Sequence, residues 1–191
     1  MPSFQVVDVP VVNLYKYEEE RYGPSPVRFI SFKNDKEHKL GQTPIPGGEL
    51  KVYRELDQAH HLSYEGQSSF KYIPVGEDVE LNLGSVMNVM VEPTLKNFRT
   101  DHYLFDEKGN ISGWDEIREF GVVVKNRRNM PVRVEIQRNI NTLHWDIQYS
   151  GDYGAYEKVD MDTVKFTLAL EGGSKREFGY VLTTRHGRRA E

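Results

Sequence analysis

The chain has 191 residues, room for one large or two small domains. Apolar residues make up 38 %, enough to fill a real core, and 11 Tyr with 9 Phe favour strands. A net charge of −4 with acids and bases interleaved argues against a nucleic-acid partner, and the lack of cysteine excludes disulfides and thiolate metal sites.

Residues 4–17 read as extended, with Pro10 in the middle. Proline cannot donate to a ladder, so this segment is predicted as an edge strand, or two short ones, and as the edge open to a partner strand. Residues 18–26 form a charged, proline-containing loop. Residues 27–34 are a strand, turned at 35–38. Pro44-Ile45-Pro46-Gly47-Gly48 is a rigid turn before a strand over 49–55. Further strands are predicted at 62–64, 70–75, 78–83 and 86–91, with Val79, Leu81 and Leu83 alternating against Glu80 and Asn82. From 94 to 105 the pattern is weaker but extended. Residues 106–110 make a hairpin turn in which Gly109 or Asn110 supplies positive φ. Residues 113–118 have the character of a single helical turn.

The second half carries the clearest signal. Phe120, Val122 and Val124 alternate with Gly121, Val123 and Lys125. The same alternation runs through Val132, Val134 and Ile136, then Leu143, Trp145, Ile147 and Tyr149, then Val164, Phe166, Leu168 and Leu170, and finally Phe178, Tyr180 and Leu182. A period of two buries one face of a sheet and wets the other. The predicted fold is all-β: an immunoglobulin-like sandwich over 112–191 packed on a second β unit over 1–111. Val122, Val134, Trp145, Ile147, Phe166, Leu168 and Tyr180 are expected in one core. The basic tail 185–189 reads as a frayed end. Phe32-Lys33-Asn34 and Val124-Lys125-Asn126 echo each other, each ending a strand in Lys-Asn before a charged turn, an echo read as coincidence.

Chemistry-bearing patterns are sparse. His60-His61 are adjacent, so on a strand they face opposite sides and cannot chelate together. No His-Glu-x-x-His and no Gly-x-Ser-x-Gly occurs. His102 and His144 could meet Asp101 or Asp146 only through folding. Asp101, Asp106, Asp115 and Asp146 are the carboxylates open to a hydrolase reading. Gly47-Gly48 and Gly172-Gly173 open no helix and cradle no phosphate. Trp114 and the Tyr153-Gly154-Ala155-Tyr156 loop are the candidate ligand contacts, because loops carry function on sandwiches. No catalytic, metal or cofactor-binding residue is assigned. No apolar run approaches the ~20 residues of a membrane helix. No signal peptide is read at Met1-Pro2-Ser3-Phe4, and the chain is expected to be part of a longer protein.

From Phe29 to Thr184 the sequence resembles the C-terminal domain of unknown function of mucoidy-inhibitor-A-like bacterial and archaeal proteins. The matching features are Phe32-Lys33-Asn34, Leu40-Gly41, Pro44-Ile45-Pro46-Gly47-Gly48-Glu49-Leu50-Lys51-Val52-Tyr53, Ile73-Pro74-Val75-Gly76-Glu77-Asp78-Val79 and Leu83-Gly84. Val124-Lys125-Asn126-Arg127-Arg128 and Pro131-Val132-Arg133-Val134 complete them. The resemblance implies a C-terminal domain whose parent carries an N-terminal domain and a coiled coil. It implies an association with the cell envelope, and it carries over no site residues. The expected function is non-catalytic: an interaction or structural module whose partner is another protein or a domain of the parent chain. The alternatives are a carbohydrate-binding module using loop aromatics and a carboxylate-based hydrolase.

Overall fold

The computed structural model describes residues 8–55, 61–150 and 156–191. Strand makes up 64 % and helix 4 %, so the protein is all-β with several packed sheets. No helix among the described residues is long and apolar enough to cross a membrane. The chain divides into two compact units, Met1–Tyr15 with Val27–Val86, and Lys16–Pro26 with Met87–Glu191.

The first unit contains most of β1 (Val12–Tyr17), then β2 (Val27–Lys33), β3 (Gly48–Glu55), β4 (Leu62–Phe70) and β5 (Asp78–Ser85). β2 runs antiparallel to β5, with Ile30 opposite Leu81 and Phe32 opposite Val79, while β3 and β4 form a separate hairpin. Ile73, Val79 and Leu81 are buried together, and Phe32, Ile45, Leu50 and Phe70 pack on them. The strand expected at 70–75 is reduced to a single bridge, Ile45 to Ile73. Pro44, Pro46 and Pro74 flank that bridge and lack the N–H groups a longer ladder needs. Of the segment expected as an edge strand, residues 4–7 lie outside the described residues, residues 8–11 with Pro10 form no strand, and β1 starts only at Val12.

The second unit opens with a one-turn helix, α1 (Glu19–Tyr22), inside the expected loop. Gly23 at φ 79° ends it. Its strands are β6 (Val89–Phe105), β7 (Ile111–Asn126), β8 (Val132–Asn139), β9 (Trp145–Ser150), β10 (Tyr156–Lys158), β11 (Thr163–Leu170) and β12 (Lys175–Gly187). One sheet has the order β6-β7-β12-β9, and β10-β11-β8 lie side by side in the other. Phe166 of β11 joins the two layers. Its ring centroid is 5.1 Å from those of Phe178 and Tyr180 and 5.7 Å from Tyr149. Val122, Val134, Ile147, Phe166, Leu168 and Tyr180 are buried as the alternation predicts. Trp145 is only half-buried, at the rim. Its indole N–H donates to the Met161 carbonyl at 2.9 Å, and the Lys158 ammonium sits 4.7 Å from its ring.

Residues 111 and 112 do not separate domains. They lie just past a hairpin tip, where Gly109 at φ 82° and the Asp106 carboxylate close the turn. Cutting there would part β6 from β7, which pair from Val89–Asn126 out to Phe105–Ile111. The predicted helical turn at 113–118 is strand, because both neighbours of β7 pair with it over that stretch.

Both Lys-Asn strand ends are built alike. Asn34 and Asn126 are 0 % and 1 % exposed. The Asn34 N–H donates to the Glu77 carbonyl, and its amide reaches the Ile73 and Pro74 carbonyls at 3.3 and 3.0 Å. The Asn126 N–H donates to the Ser174 carbonyl, and its amide reaches Met130 and Glu171 at 2.8 and 2.9 Å. In each case the carbonyl partner of the N–H follows a left-handed glycine, Gly76 or Gly173. The strand that follows pairs back on the first, Lys33 with Asp78 and Lys125 with Lys175. The echo in the sequence is therefore a repeated structural joint.

Candidate functional site

The face of the four-stranded sheet that begins in the core continues outward along β6, β7 and β12. Residues directly opposite on paired strands share a face. One row runs Leu95, Phe120, Tyr180, Tyr149. The next runs Phe98, Arg118, Leu182, Ile147, and a third runs Thr100, Glu116, Thr184, Trp145. Apolar side chains thus give way to polar ones with distance from the core. The Arg118 guanidinium lies 5.5 Å from the Phe98 ring centre and pairs with Glu116. Beyond it the Trp114 and His186 rings stack at 5.4 Å and 11°. His186 Nε2 is 2.9 Å from Thr184 Oγ1 and 3.7 Å from Glu116 Oε2.

The opposite face of β7 carries Asp115, buried despite its charge. Arg189 Nε and one terminal guanidinium nitrogen donate to its two oxygens at 2.9 and 2.7 Å. Such a bidentate pair is among the stronger charged contacts a protein makes. His102 Nδ1 approaches the same carboxylate at 3.2 Å. His102 sits in a bulge of β6 at φ 52°, and the Asp101 carboxylate accepts its backbone N–H. Arg189 holds the Asp115 carboxyl below the usual range, through its hydrogen bonds first and its charge next. A carboxylate held ionised in this way is a poor proton donor near neutral pH. Its role here is to anchor the chain end. The tail is accordingly not frayed: β12 pairs with β7 out to Gly187, and Arg188–Ala190 forms a 3-10 turn.

β6 is an outer strand among the described residues. Past Glu92 its pattern has no buried side. Leu95, Phe98, Tyr103, Leu104 and Phe105 are exposed, as is Ile111 across the turn. Bulges at Leu95/Asn97 and Asp101/Leu104 bound a regular stretch, Asn97–Asp101. The arm therefore offers backbone hydrogen-bonding groups along one edge and apolar side chains beside them.

Of the predicted contacts, Trp114 lies in a strand and stacks on His186, and Tyr156 of β10 leans on Phe166 at 6.3 Å. Their ring partners belong to different clusters. Tyr153 lies outside the described residues, as does His60. His102 meets Asp115 rather than an Asp101 ion pair, and His144 contributes its carbonyl to the Arg185 N–H. No group of three or more His, Asp or Glu side chains able to hold a metal occurs among the described residues. The sequence reading missed Arg189 as the partner of Asp115 and missed the exposed arm.

Comparison with protein-family models, with curated proteins and with solved structures gave no match.

Proposed function

We propose that the chain is a non-catalytic interaction module of a larger protein of the mucoidy-inhibitor-A-like kind, and that its β6–β7 arm docks an extended segment of a partner protein. The observation that carries this reading is the set of exposed apolar side chains on the outer strand β6, Leu95, Phe98, Tyr103, Leu104 and Phe105, with Ile111 of β7 across the turn. Exposed apolar side chains beside an open edge suit strand addition, in which backbone bonds supply affinity and alternate side chains supply specificity. The second unit contributes seven strands, four forming one sheet and three lying side by side in another, the strand count of an immunoglobulin-like sandwich, a scaffold that carries binding surfaces at its ends and edges. The resemblance to an envelope-associated family fits such a role. Sugar binding through Trp114 and Tyr156 has less support, since both residues are half-buried with their rings packed on His186 and Phe166. A hydrolase built on Asp101, Asp106 or Asp115 has less still. Hydrogen bonds lower all three carboxyls, which leaves them ionised near neutral pH, without a proton to donate and weak as bases.

A photo-crosslinking residue placed at Phe98 or Leu104 in the parent protein, in its own cells, tests this. Both positions should yield adducts with one and the same protein, and exposed Lys71 should not. Adducts absent from both arm positions, or equal at Lys71, would remove the reading.

A further inference from the structure

The β3–β4 hairpin of the first unit carries a second surface, independent of the arm. Glu49 faces Ser69, Lys51 faces Gln67, and Tyr53 faces Tyr64, all on the side away from the Leu50 core contact. Tyr53 and Tyr64 are 50 % and 53 % exposed, with ring centroids 5.6 Å apart and edge-on at 66°. A bulge between Val52 and Tyr53 makes this arrangement. From Gly48 to Val52 the partners on β4 keep strict alternation, which would aim Tyr64 inward with Gly66 and Ser68. The extra residue, Glu65, turns inward instead, onto Arg28 at 2.7 Å and Arg54 at 3.1 Å, and Tyr64 is turned out beside Tyr53. Bulges of this kind re-aim side chains at functional edges. Glu49, Gln67 and Ser69, on the same side of the hairpin as the tyrosines, line an open cavity of about 470 Å³ together with Ser68 and Asn82. Every lining side chain is able to hydrogen-bond.

We propose that this face binds a neutral, hydroxyl-rich oligosaccharide. Two exposed tyrosine rings offer apolar faces to the C–H side of pyranose rings, and Gln67, Ser69 and Asn82 match hydroxyl groups in both directions. The adjacent Glu49 and Lys51 cancel in charge, so the face has no preference for an anionic or cationic polymer. At 3.3 Å per residue the rungs from Glu49 to Tyr53 span about 13 Å, the length of a short oligosaccharide. A plain structural role as a cross-strand pair would explain two neighbouring tyrosines. The bulge seats Glu65 on Arg28 and Arg54, and it leaves both tyrosine rings exposed on the same side as Gln67 and Ser69.

The test titrates the whole chain with cellohexaose, chitohexaose and maltohexaose, and with an anionic oligogalacturonide, following tyrosine ring resonances by NMR. At least one neutral probe should give saturable shifts at Tyr53 and Tyr64. Tyr53→Ala should weaken that binding about tenfold or more, while Tyr53→Phe retains it. Gln67→Ala, on an exposed side chain that leaves the hairpin intact, should also weaken it. The proposal fails if no neutral probe shifts either ring, if Tyr53→Ala and Gln67→Ala bind as tightly as the parent, or if only the anionic probe binds. It fails equally if the ring shifts follow protein concentration alone, which would make this a contact between copies of the chain.

Discussion

Asn126 gives both protons of one amide to main-chain carbonyls, and its own oxygen accepts the Arg128 N–H at 3.0 Å. An aspartate of the same shape cannot donate and would set a carboxylate against two carbonyl oxygens. Asn126→Asp should therefore cost about 3 kcal/mol, and Asn34→Asp a similar amount. Urea midpoints of the two variants within a few tenths of a molar of the parent would show that the carbonyls find other donors. Asp115 gives a prediction in pH. Its folded pKa is depressed, so its contribution is present above the unfolded value and is lost as pH falls through the folded one. Arg189→Met should destabilise the fold near neutral pH, because it leaves the buried Asp115 carboxylate without its bidentate partner. The gap from the parent should narrow below about pH 4 as the carboxylate is protonated. Urea titrations of both proteins at two pH values check this, and a gap that stays constant would point to a group other than Asp115. The pairing is not legible in the sequence, where Asp115 stands out only as one of four carboxylates open to a hydrolase reading and Arg189 sits 74 residues away in a basic run that reads as a frayed end.

Element by element, the strands with one wet and one dry face were legible and the others were not. β8, β11 and the core part of β7 alternate in burial as in sequence. Phe166→Ala should cost about 3–5 kcal/mol, since the ring fills the space between two sheets. Lys165→Ala, on the other face and paired with a mostly exposed Glu157, should cost about 1 kcal/mol or less. Equal denaturation midpoints for the two would reverse the facing of β11. β6 read weakly because alternation needs a buried side. Beyond Glu92 none of its residues is buried, so there is no dry face for the apolar residues to mark. The Tyr53–Tyr64 pair was hidden for a different reason. Both tyrosines stand in plain view, but a bulge is a property of two strands, and the facing of one depends on the register of the other.

At the scale of the whole molecule, the all-β class was legible and the division of the chain was not. Turn chemistry at 106–110 marks a hairpin tip as strongly as it would mark a linker. Only pairing distinguishes them, and pairing joins residues on either side. A fragment spanning 112–191 should therefore fail to fold. It lacks β6 and leaves the long β7 as a bare edge. Poor dispersion in its amide NMR spectrum and aggregation at micromolar concentration are expected. A well-dispersed spectrum would restore the boundary at 111/112. Trp145 sat on the correct face of β9 but at its outer end, where the sheet stops being covered, so parity placed it and could not bury it.

The twin asparagine joints also bear on how quickly each unit can form. Asn34 reaches a carbonyl 40 residues along the chain, and Asn126 one 45 residues along. Each of these long-range bonds ties off a loop that must close before that bond offsets any of the entropy lost, and by chain-length scaling the two closures differ by only about 0.1 kcal/mol. The nearby bonds of Asn126 with Met130 and Arg128 do not close that loop. Both should pass a late, contact-order-limited barrier, with refolding in the millisecond-to-second range typical of sandwiches rather than the microseconds of helical bundles.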